Sequence, residues 1–236
     1  MNNVPVLKCE KLCKSYKKGE RVLDNFEFTV MPGRIVGLLG PNGCGKSTLL
    51  KLISGLLCAD SGSIEICGEA RSENSNALIS YLPERTYFDS KSRVSELIEF
   101  FCDFYLDFDA EVAKKMLTDL NIPLDARLRT LSKGTKEKVQ LIMVMSRRTK
   151  LYLLDETIGG VDPASRDYIL NTIITNYNPE ASIIITTHLI ADVEPALDDF
   201  AFMSYGGRIL RSGNADEERE ATGKSLDELF REVFKC

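Results

Sequence analysis

Residues 40–48 read GPNGCGKST, and they lie between an apolar run at 34–39 and a stretch of helical apolar spacing at 47–57. The nonapeptide fits the pattern G-x-x-x-x-G-K-[S/T] of loops that wrap around nucleotide phosphates. Its glycines let backbone N–H groups turn toward anionic oxygens, and the helix that follows points its positive end at the same anion. The loop therefore predicts a nucleotide site between a buried strand and a helix.

Individual residues of this loop have separate roles in binding a nucleotide. Lys46 places a compact charge on the β- and γ-phosphates, and the Ser47 hydroxyl can complete a Mg²⁺ shell. A chance glycine turn before a surface lysine is the alternative, and the flanking strand and helix favour the phosphate loop. The predicted binding residues are Gly40, Pro41, Asn42, Gly43, Cys44, Gly45, Lys46, Ser47 and Thr48.

A second motif, LYLLDE at 151–156, describes a buried strand that ends in two carboxylates. Ligands in α/β proteins bind at this end of the strands. Asp155 would hold Mg²⁺, directly or through water, and Glu156 would polarise an attacking water. Solvated acids after a strand are the alternative, but together with the phosphate loop the motif predicts a nucleotide hydrolase. No Asn-Lys-x-Asp guanine motif is present, which excludes the common GTPase pattern.

Composition limits the remaining classes of protein. The 236 residues, 44% of them apolar, suffice for one domain with a sizeable core. A net charge of −5 argues against binding nucleic acid by electrostatics alone, so no nucleic-acid partner is predicted. Seven cysteines without a CxxC pair and a single histidine leave no zinc spacing, and they suggest reduced thiols. No apolar run approaches the roughly 20 residues that cross a bilayer.

Strands that alternate with helices predict an α/β fold with a largely parallel sheet. Apolar runs predict strands at 22–30, 34–39, 64–67, 79–82, 151–154 and 183–187. Helical spacing predicts helices at 47–57, 139–145, 166–174 and 226–234. The aromatic-rich middle of the chain has two more helical faces, at 94–101 and 112–120, and we interpret residues 86–148 as a helical insertion.

A third motif decides the class of nucleotide hydrolase. Residues 131–135, LSKGT, precede a helix about twenty residues before the acidic strand. Here the chain resembles the ATP-binding cassette (ABC) family, whose signature LSGGQ stands at this place. Lys133 and Thr135 depart from that signature, whereas Ser132 and Gly134, which contact the γ-phosphate in the family, are retained. The resemblance implies that this segment serves the ATP of a second protomer; an ordinary serine N-cap followed by glycine is the alternative.

The resemblance assigns further residues in chain order. It implies that Tyr16 stacks on adenine and that Asp162 crosses the dimer interface. His188 follows the apolar strand at 183–187, where the family has its switch histidine, and would bridge Glu156, water and the γ-phosphate. Glu84 occupies the place of the usual glutamine, where its carboxylate could still bind Mg²⁺.

The resemblance therefore predicts one ABC domain over residues 1–236, of α/β phosphate-loop type, with an N-terminal antiparallel β subdomain and the inserted helical subdomain. It implies an ATPase that requires ATP and Mg²⁺, with Glu156, His188 and Lys46 as catalytic residues. The predicted assembly is a homodimer or heterodimer of ATP-binding subunits, joined to a separate integral membrane subunit.

That membrane subunit would hold the otherwise cytoplasmic chain at the inner face of the cell membrane, and Tyr87 and Phe88 are the predicted exposed contacts. The LSKGT form and the short chain are similar to the ATP subunits of bacterial two-component exporters. Two alternatives remain open: a soluble cassette ATPase that remodels a complex, and a nucleotide-gated binding module with little turnover.

Overall fold

The computed structural model describes residues 4–17, 19–156 and 180–234, and within these ranges it contains ten strands and seven α-helices. The strands are β1 (Leu7–Lys17), β2 (Glu20–Val30), β3 (Ile35–Leu39), β4 (Ser61–Ile66), β5 (Glu69–Ala70), β6 (Ile79–Leu82), β7 (Leu151–Asp155), β8 (Ser182–Thr187), β9 (Asp199–Ser204) and β10 (Arg208–Asn214). The helices are α1 (Lys46–Ile53), α2 (Val94–Phe104), α3 (Ala110–Asp119), α4 (Lys133–Met145), α5 (Ile190–Val193), α6 (Ala215–Thr222) and α7 (Leu226–Phe234). Short 3-10 helices occur at Glu73–Leu78, Leu128–Thr130 and Glu194–Ala196.

The strands form a larger, mainly parallel sheet and a smaller antiparallel one. The larger sheet has the order β10-β9-β3-β8-β7-β6, and its strands pair in parallel except for β10, which runs antiparallel at the edge. The smaller sheet, β2-β1-β4-β5, is built from the first part of the chain. Every residue of β3, β7 and β8 is buried, as expected for strands of a parallel sheet that is covered on both faces.

Two hydrophobic clusters cover the faces of the larger sheet. On one face, Val36 and Leu38 pack with apolar residues of α1 and of the antiparallel sheet. On the other face, Leu39 and Leu154 pack with residues of α4, α5 and α7. Both faces of β3 and β7 are therefore fixed by apolar packing, which holds the carboxyl ends of these strands in place.

The helices α2, α3 and α4, which lie between β6 and β7 in the sequence, form a hydrophobic cluster of their own. The predicted apolar face of α2, which comprises Val94, Leu97, Ile98 and Phe101, is buried in it. Residues of α3 and the middle of α4 complete the cluster. This arrangement agrees with a helical insertion, and its boundaries at 86 and 148 remain a prediction.

Two helix ends lie four or more residues from their predicted positions. Helix α1 ends at Ile53 and not at 57, because Gly55 adopts a left-handed φ of 77° and Leu56 is exposed. Helix α4 begins at Lys133, six residues before the predicted 139, because Ser132 caps it. The predicted helix at 166–174 lies outside the described residues. Among the helices that the structure describes, none is long and apolar enough to cross a membrane.

Candidate functional site

The predicted site residues meet at one edge of the larger sheet. Strand β8 lies between β3 and β7, and all three run in parallel. The phosphate loop follows β3, Glu156 follows β7 and His188 follows β8. The topology therefore brings the phosphate loop together with two positions that lie more than a hundred residues further along the chain, at the end of the sheet where ligands bind.

The phosphate loop is tightly constrained by its surroundings. A Cβ atom on Gly40 would lie 2.2 Å from the carbonyl oxygen of Met203, so only glycine fits there. Gly45 has a φ of 110° and immediately precedes α1, whose first turn has no side-chain cap. The free N–H groups of this turn are thus left to bind an anion.

Lys46 carries the charge of the loop. Its side chain is 5% exposed, and its Nζ donates hydrogen bonds to the carbonyl oxygens of Gly40 at 2.7 Å and Pro41 at 3.3 Å. The same ammonium lies 3.7 Å from Oε1 of Glu156. The ammonium group is therefore already positioned to bind a phosphate group in the loop, next to the carboxylate that follows β7.

Asp155 and Ser47 form the oxygen-rich side of the site. The Ser47 hydroxyl donates to Oδ1 of Asp155 at 2.9 Å, and Thr186 donates to the same oxygen at 2.8 Å. Tyr81 donates to the other carboxylate oxygen at 3.3 Å. Burial, reinforced by the charge of Asp155, raises the pKa of Tyr81 well above its ordinary value, so its hydroxyl stays a donor.

This arrangement fits Mg²⁺, which favours hard oxygen ligands and usually binds one or two protein groups together with phosphates and water. Within the described ranges, no three His, Cys, Asp or Glu side chains converge into a metal cluster. A metal held by Ser47 and Asp155 would therefore complete its shell with oxygens of the nucleotide and of water.

Glu156 is held in an unusual backbone conformation. Its φ of 50° lies in the left-handed region, which is uncommon for residues other than glycine. Its backbone N–H donates to Thr186 O at 3.0 Å and to Thr186 Oγ1 at 3.1 Å. Its carboxylate Oε2 lies 2.7 Å from Nδ1 of His188. Strain of this kind is characteristic of functional sites, and here it aims the carboxylate into the cleft.

A cleft of about 790 Å³ joins these groups, a size that accommodates a nucleotide. Tyr16 lines this cleft, with its side chain exposed and its hydroxyl 3.1 Å from Oγ1 of Thr48. The predicted stacking of Tyr16 on adenine agrees with this position and remains a prediction. The cleft is lined by Tyr16, Val22, Asn42, Gly43, Gly45, Lys46, Ser47, Thr48, Glu84, Arg85, Thr86, Lys133, Glu137, Glu156 and His188.

The residues predicted to serve a second protomer lie at the start of α4. The hydroxyl of Ser132 is exposed, and it accepts a hydrogen bond from the backbone N–H of Thr135 at 3.1 Å as the helix cap. Gly134 is half-buried in the first turn. The cap interpretation is therefore correct, and it is compatible with an outward-facing anion site. Asp162, the third residue of this set, lies outside the described residues.

Two predictions concern the segment after β6. Glu84 is exposed and faces the cleft, and its role as a metal ligand stays a prediction. Tyr87 is 54% exposed, as expected for a partner contact. Phe88 differs from the expectation: it is half-buried, because its ring packs edge-on against Phe101 at a centroid distance of 5.9 Å. Two further exposed rings, Phe100 and Phe104, lie on α2.

The sequence motifs do not reveal three residues that support the site. Thr186 and Tyr81 bind Asp155, and Tyr205 donates to the carbonyl oxygen of Asn42 in the phosphate loop at 3.4 Å. Tyr81 and Thr186 each lie in a predicted strand that ends at the site, so the strand pattern was a signal for them. Tyr205 follows β9, for which the sequence analysis offers no prediction.

Comparisons with known proteins identify the family of the chain. The sequence model of the ABC transporter family matches residues 23–159. The ABC transporter ATP-binding protein YtrB of Bacillus subtilis (strain 168) is 32% identical over 221 residues, which cover 92% of this chain and 71% of YtrB. The ATP-binding protein EcsA of the same organism is also 32% identical, and the match covers 91% of each chain.

Solved structures show the same architecture. The structure of an ATP-binding subunit of an ABC transporter superimposes with a TM-score of 0.86 at 29% identity, covering 97% of this chain and 99% of the other. A nucleotide-free ATP-binding cassette at 23% identity, with a TM-score of 0.79 and 98% of each chain covered, confirms the fold alone. The predicted α/β fold of phosphate-loop type is thus confirmed, and the chain belongs to the ABC transporter family as an ATP-binding subunit with ATPase activity.

Proposed function

We propose that this subunit powers export across a membrane by ATP-driven closing and opening of a head-to-tail dimer. The observation that carries the proposal is the convergence of Lys46, Glu156 and His188 in one cleft, whereas Ser132 is exposed and is not among the residues that line this cleft. Each protomer would supply the phosphate loop of one site and the Ser132 segment of the other. Asp162 would contribute to the contact between the protomers.

The catalytic roles follow from the chemistry of these side chains. Glu156 would accept the proton of an attacking water, while His188 keeps the carboxylate oriented by its 2.7 Å hydrogen bond. Lys46 and the N–H groups of the phosphate loop would bind the β- and γ-phosphates, where charge develops during transfer. Mg²⁺ would be held by Ser47 and Asp155, and also by Glu84 if its predicted role is correct. The metal would neutralise negative charge on the phosphate oxygens.

The direction of transport is inferred from relatives whose names state it. The lipopolysaccharide export system ATP-binding protein LptB of Haemophilus influenzae (strain ATCC 51907 / DSM 11121 / KW20 / Rd) is 32% identical, and the match covers 90% of this chain and 92% of LptB. The Nod factor export ATP-binding protein I of Ralstonia nicotianae (strain ATCC BAA-1114 / GMI1000) is 27% identical over 89% of this chain and 68% of its own. Both support export through a separate membrane subunit, which would hold the chain at the inner face of the membrane.

The substitution Glu156→Gln tests the catalytic role and the dimer together. Without its base, the variant should bind MgATP, turn over at least about 100-fold more slowly, and accumulate as the closed dimer. Light scattering after size exclusion should then give twice the 26.4 kDa of one chain, and the apo protein should remain monomeric. Glu111→Gln, which changes an exposed helical carboxylate far from the cleft, is the control. Undiminished hydrolysis, or a variant that stays monomeric in MgATP, would contradict the proposal.

The transport step needs a separate measurement. Everted membrane vesicles that contain the chain and its membrane subunit should take up a compound into their lumen when ATP is added outside. Mass spectrometry identifies the transported compound as one that accumulates in vesicles with the wild-type chain and not in vesicles with Glu156→Gln. ATP-dependent depletion of a compound from the lumen would indicate import and overturn the assignment of direction.

A further inference from the structure

Two buried acceptor atoms on α4 have no hydrogen-bond partner. They are Oε2 of Glu137 and Oε1 of Gln140, and no other buried side-chain oxygen or nitrogen in the described part of the chain is left unpaired. The two residues are three positions apart, so their side chains lie on the same face of the helix. Gln140 is 2% exposed, and it is the only glutamine of the chain. Unpaired buried acceptors are destabilising and therefore call for a donor.

Both side chains line one small cavity beside the nucleotide cleft. Its volume of about 20 Å³ has room for one water molecule. The remaining wall is formed by residues 82–84, Thr86 and Glu156. The amide nitrogen of Gln140 already donates to the carbonyl oxygen of Pro83 at 3.4 Å.

The chemistry of the lining selects the occupant. The titratable groups that face the cavity are the carboxylates of Glu84, Glu137 and Glu156, which act as acceptors. Lys133, on the same helix, lies 3.8 Å from Oε1 of Glu137, whereas Oε2 has no hydrogen-bond partner. A water molecule offers two O–H donors, one for each unpaired oxygen.

We propose that this cavity binds one ordered water molecule, which donates to Glu137 Oε2 and Gln140 Oε1 and joins α4 to the segment that carries Glu84. Gln140 is then a positioning residue. It holds the Pro83 carbonyl with its amide nitrogen and the water with its amide oxygen. Because α4 begins directly after Ser132, the same helix links the segment offered to a second protomer with Glu84 and Glu156 in its own cleft. The catalytic consequence rests on the proposed function; the water site does not.

The water is tested directly by a crystal structure of the nucleotide-free wild-type protein and of the Gln140→Met variant. The wild type should show one water within about 3.2 Å of both oxygens. Methionine has a similar length and no amide, so the variant should lose this water. Direct pairing of the two oxygens with protein groups, an empty cavity, or a metal ion at about 2.1 Å from the carboxylate would each overturn the proposal.

The positioning role is tested by kinetics and stability of the same variant. Gln140→Met should lower kcat about 5- to 20-fold, with the affinity for a fluorescent ATP analogue changed less than twofold. Its melting temperature should stay within about 3 °C of wild type, because methionine fills a similar buried volume and the lost hydrogen bond to Pro83 O is a long one, at 3.4 Å. An unchanged kcat would overturn the role, and so would a kcat loss accompanied by a large fall in melting temperature.

Two comparisons make the result specific. Ser80→Ala is the matched control, because the Ser80 hydroxyl also ties the sheet to α4, at Val144 O, but away from the cavity. It should lower the melting temperature and leave kcat within twofold. In a double-mutant cycle, Gln140→Met and Glu84→Gln should be non-additive in kcat, since both act on one segment. Additive effects would overturn the link to Glu84, whereas an inactive wild-type protein would instead contradict the proposed function.

Discussion

His188 Nδ1 lies 2.7 Å from Glu156 Oε2, although the two residues follow different strands. An ionised carboxylate only accepts hydrogen bonds, so Nδ1 is the donor of this contact. The contact restrains a glutamate whose φ of 50° is intrinsically unfavourable. The histidine thus fixes the direction of the carboxylate, and its ring remains half-exposed toward the cleft.

Replacing this histidine should stop turnover without unfolding the chain. We expect His188→Ala to lower kcat at least about 100-fold, because the carboxylate loses its orienting partner and no second histidine exists to replace it. The half-exposed ring contributes little to the core, so the melting temperature should be nearly unchanged. Phosphate release at saturating MgATP measures the effect, and added imidazole should restore part of the rate. Wild-type turnover in the variant would refute the role.

The phosphate loop, the acidic pair and the histidine share one property: each stands at the carboxyl end of a predicted apolar strand. The loop at 40–48, Asp155, Glu156 and His188 could be placed together because parallel strands end at the same edge. The strand pattern is a signal for Tyr81 and Thr186, but it does not predict their contacts with Asp155, which lies 74 and 31 residues away from them, because contacts of that range depend on strand order.

The missed parts of the fold have different physical causes. Strand β9 contains the buried run Phe200–Met203, a signal that could have identified it. Strand β10 is an edge strand with mostly exposed side chains, and it lacks the apolar pattern of a buried strand. The predicted α1 is too long because Leu56 and Leu57 continue the apolar spacing of the helix beyond Gly55. The backbone is left-handed at Gly55, and the helix has ended before it. The spacing of apolar residues does not show where a glycine ends a helix.

Gly40 should tolerate no side chain. In Gly40→Ala the new Cβ would lie 2.2 Å from the Met203 carbonyl oxygen and 2.8 Å from the Cys44 sulfur, so the backbone must move. We expect a loss of about 1–3 kcal/mol in the free energy of unfolding and at least a tenfold weaker affinity for ATP. Urea unfolding and titration with a fluorescent ATP analogue measure the two effects. Gly213→Ala, whose nearest neighbour would be 3.9 Å away, should change the unfolding free energy by less than about 0.5 kcal/mol. Equal behaviour of the two variants would refute the steric argument.

Ser47 should set the requirement for magnesium. Its hydroxyl is bonded to Asp155 at 2.9 Å and is one of the oxygens assigned to the metal. Ser47→Ala should therefore raise the free Mg²⁺ concentration for half-maximal ATPase rate at least about tenfold, and removal of the metal by EDTA should stop wild-type turnover. Ser54→Ala, at the other end of α1 and outside the cleft, should leave the magnesium dependence unchanged. The same dependence in both variants would exclude Ser47 as a ligand.

Arg147 should hold the helical insertion on the sheet. The guanidinium is 5% exposed, forms two 3.1 Å hydrogen bonds to the carboxylate of Asp107, and donates to Ile79 O at 2.7 Å. The guanidinium carbon, Cζ of Arg147, also lies 4.0 Å from the centre of the Tyr105 ring. Removing one partner of a buried ion pair leaves the other charge without compensation, at a cost of about 3–5 kcal/mol.

The neighbouring arginine provides the control for this last experiment. Arg148 pairs with Asp109 but is 73% exposed, so solvent screens the pair and Arg148→Met should lower the free energy of unfolding by less than about 1 kcal/mol. Arg147→Met should lower it by about 3 kcal/mol or more, measured by the urea midpoint at an unchanged m-value. The two variants remove the same charge from adjacent positions, so any difference reports burial and not net charge. Equal losses would show that the Asp107 pair does not fasten the insertion.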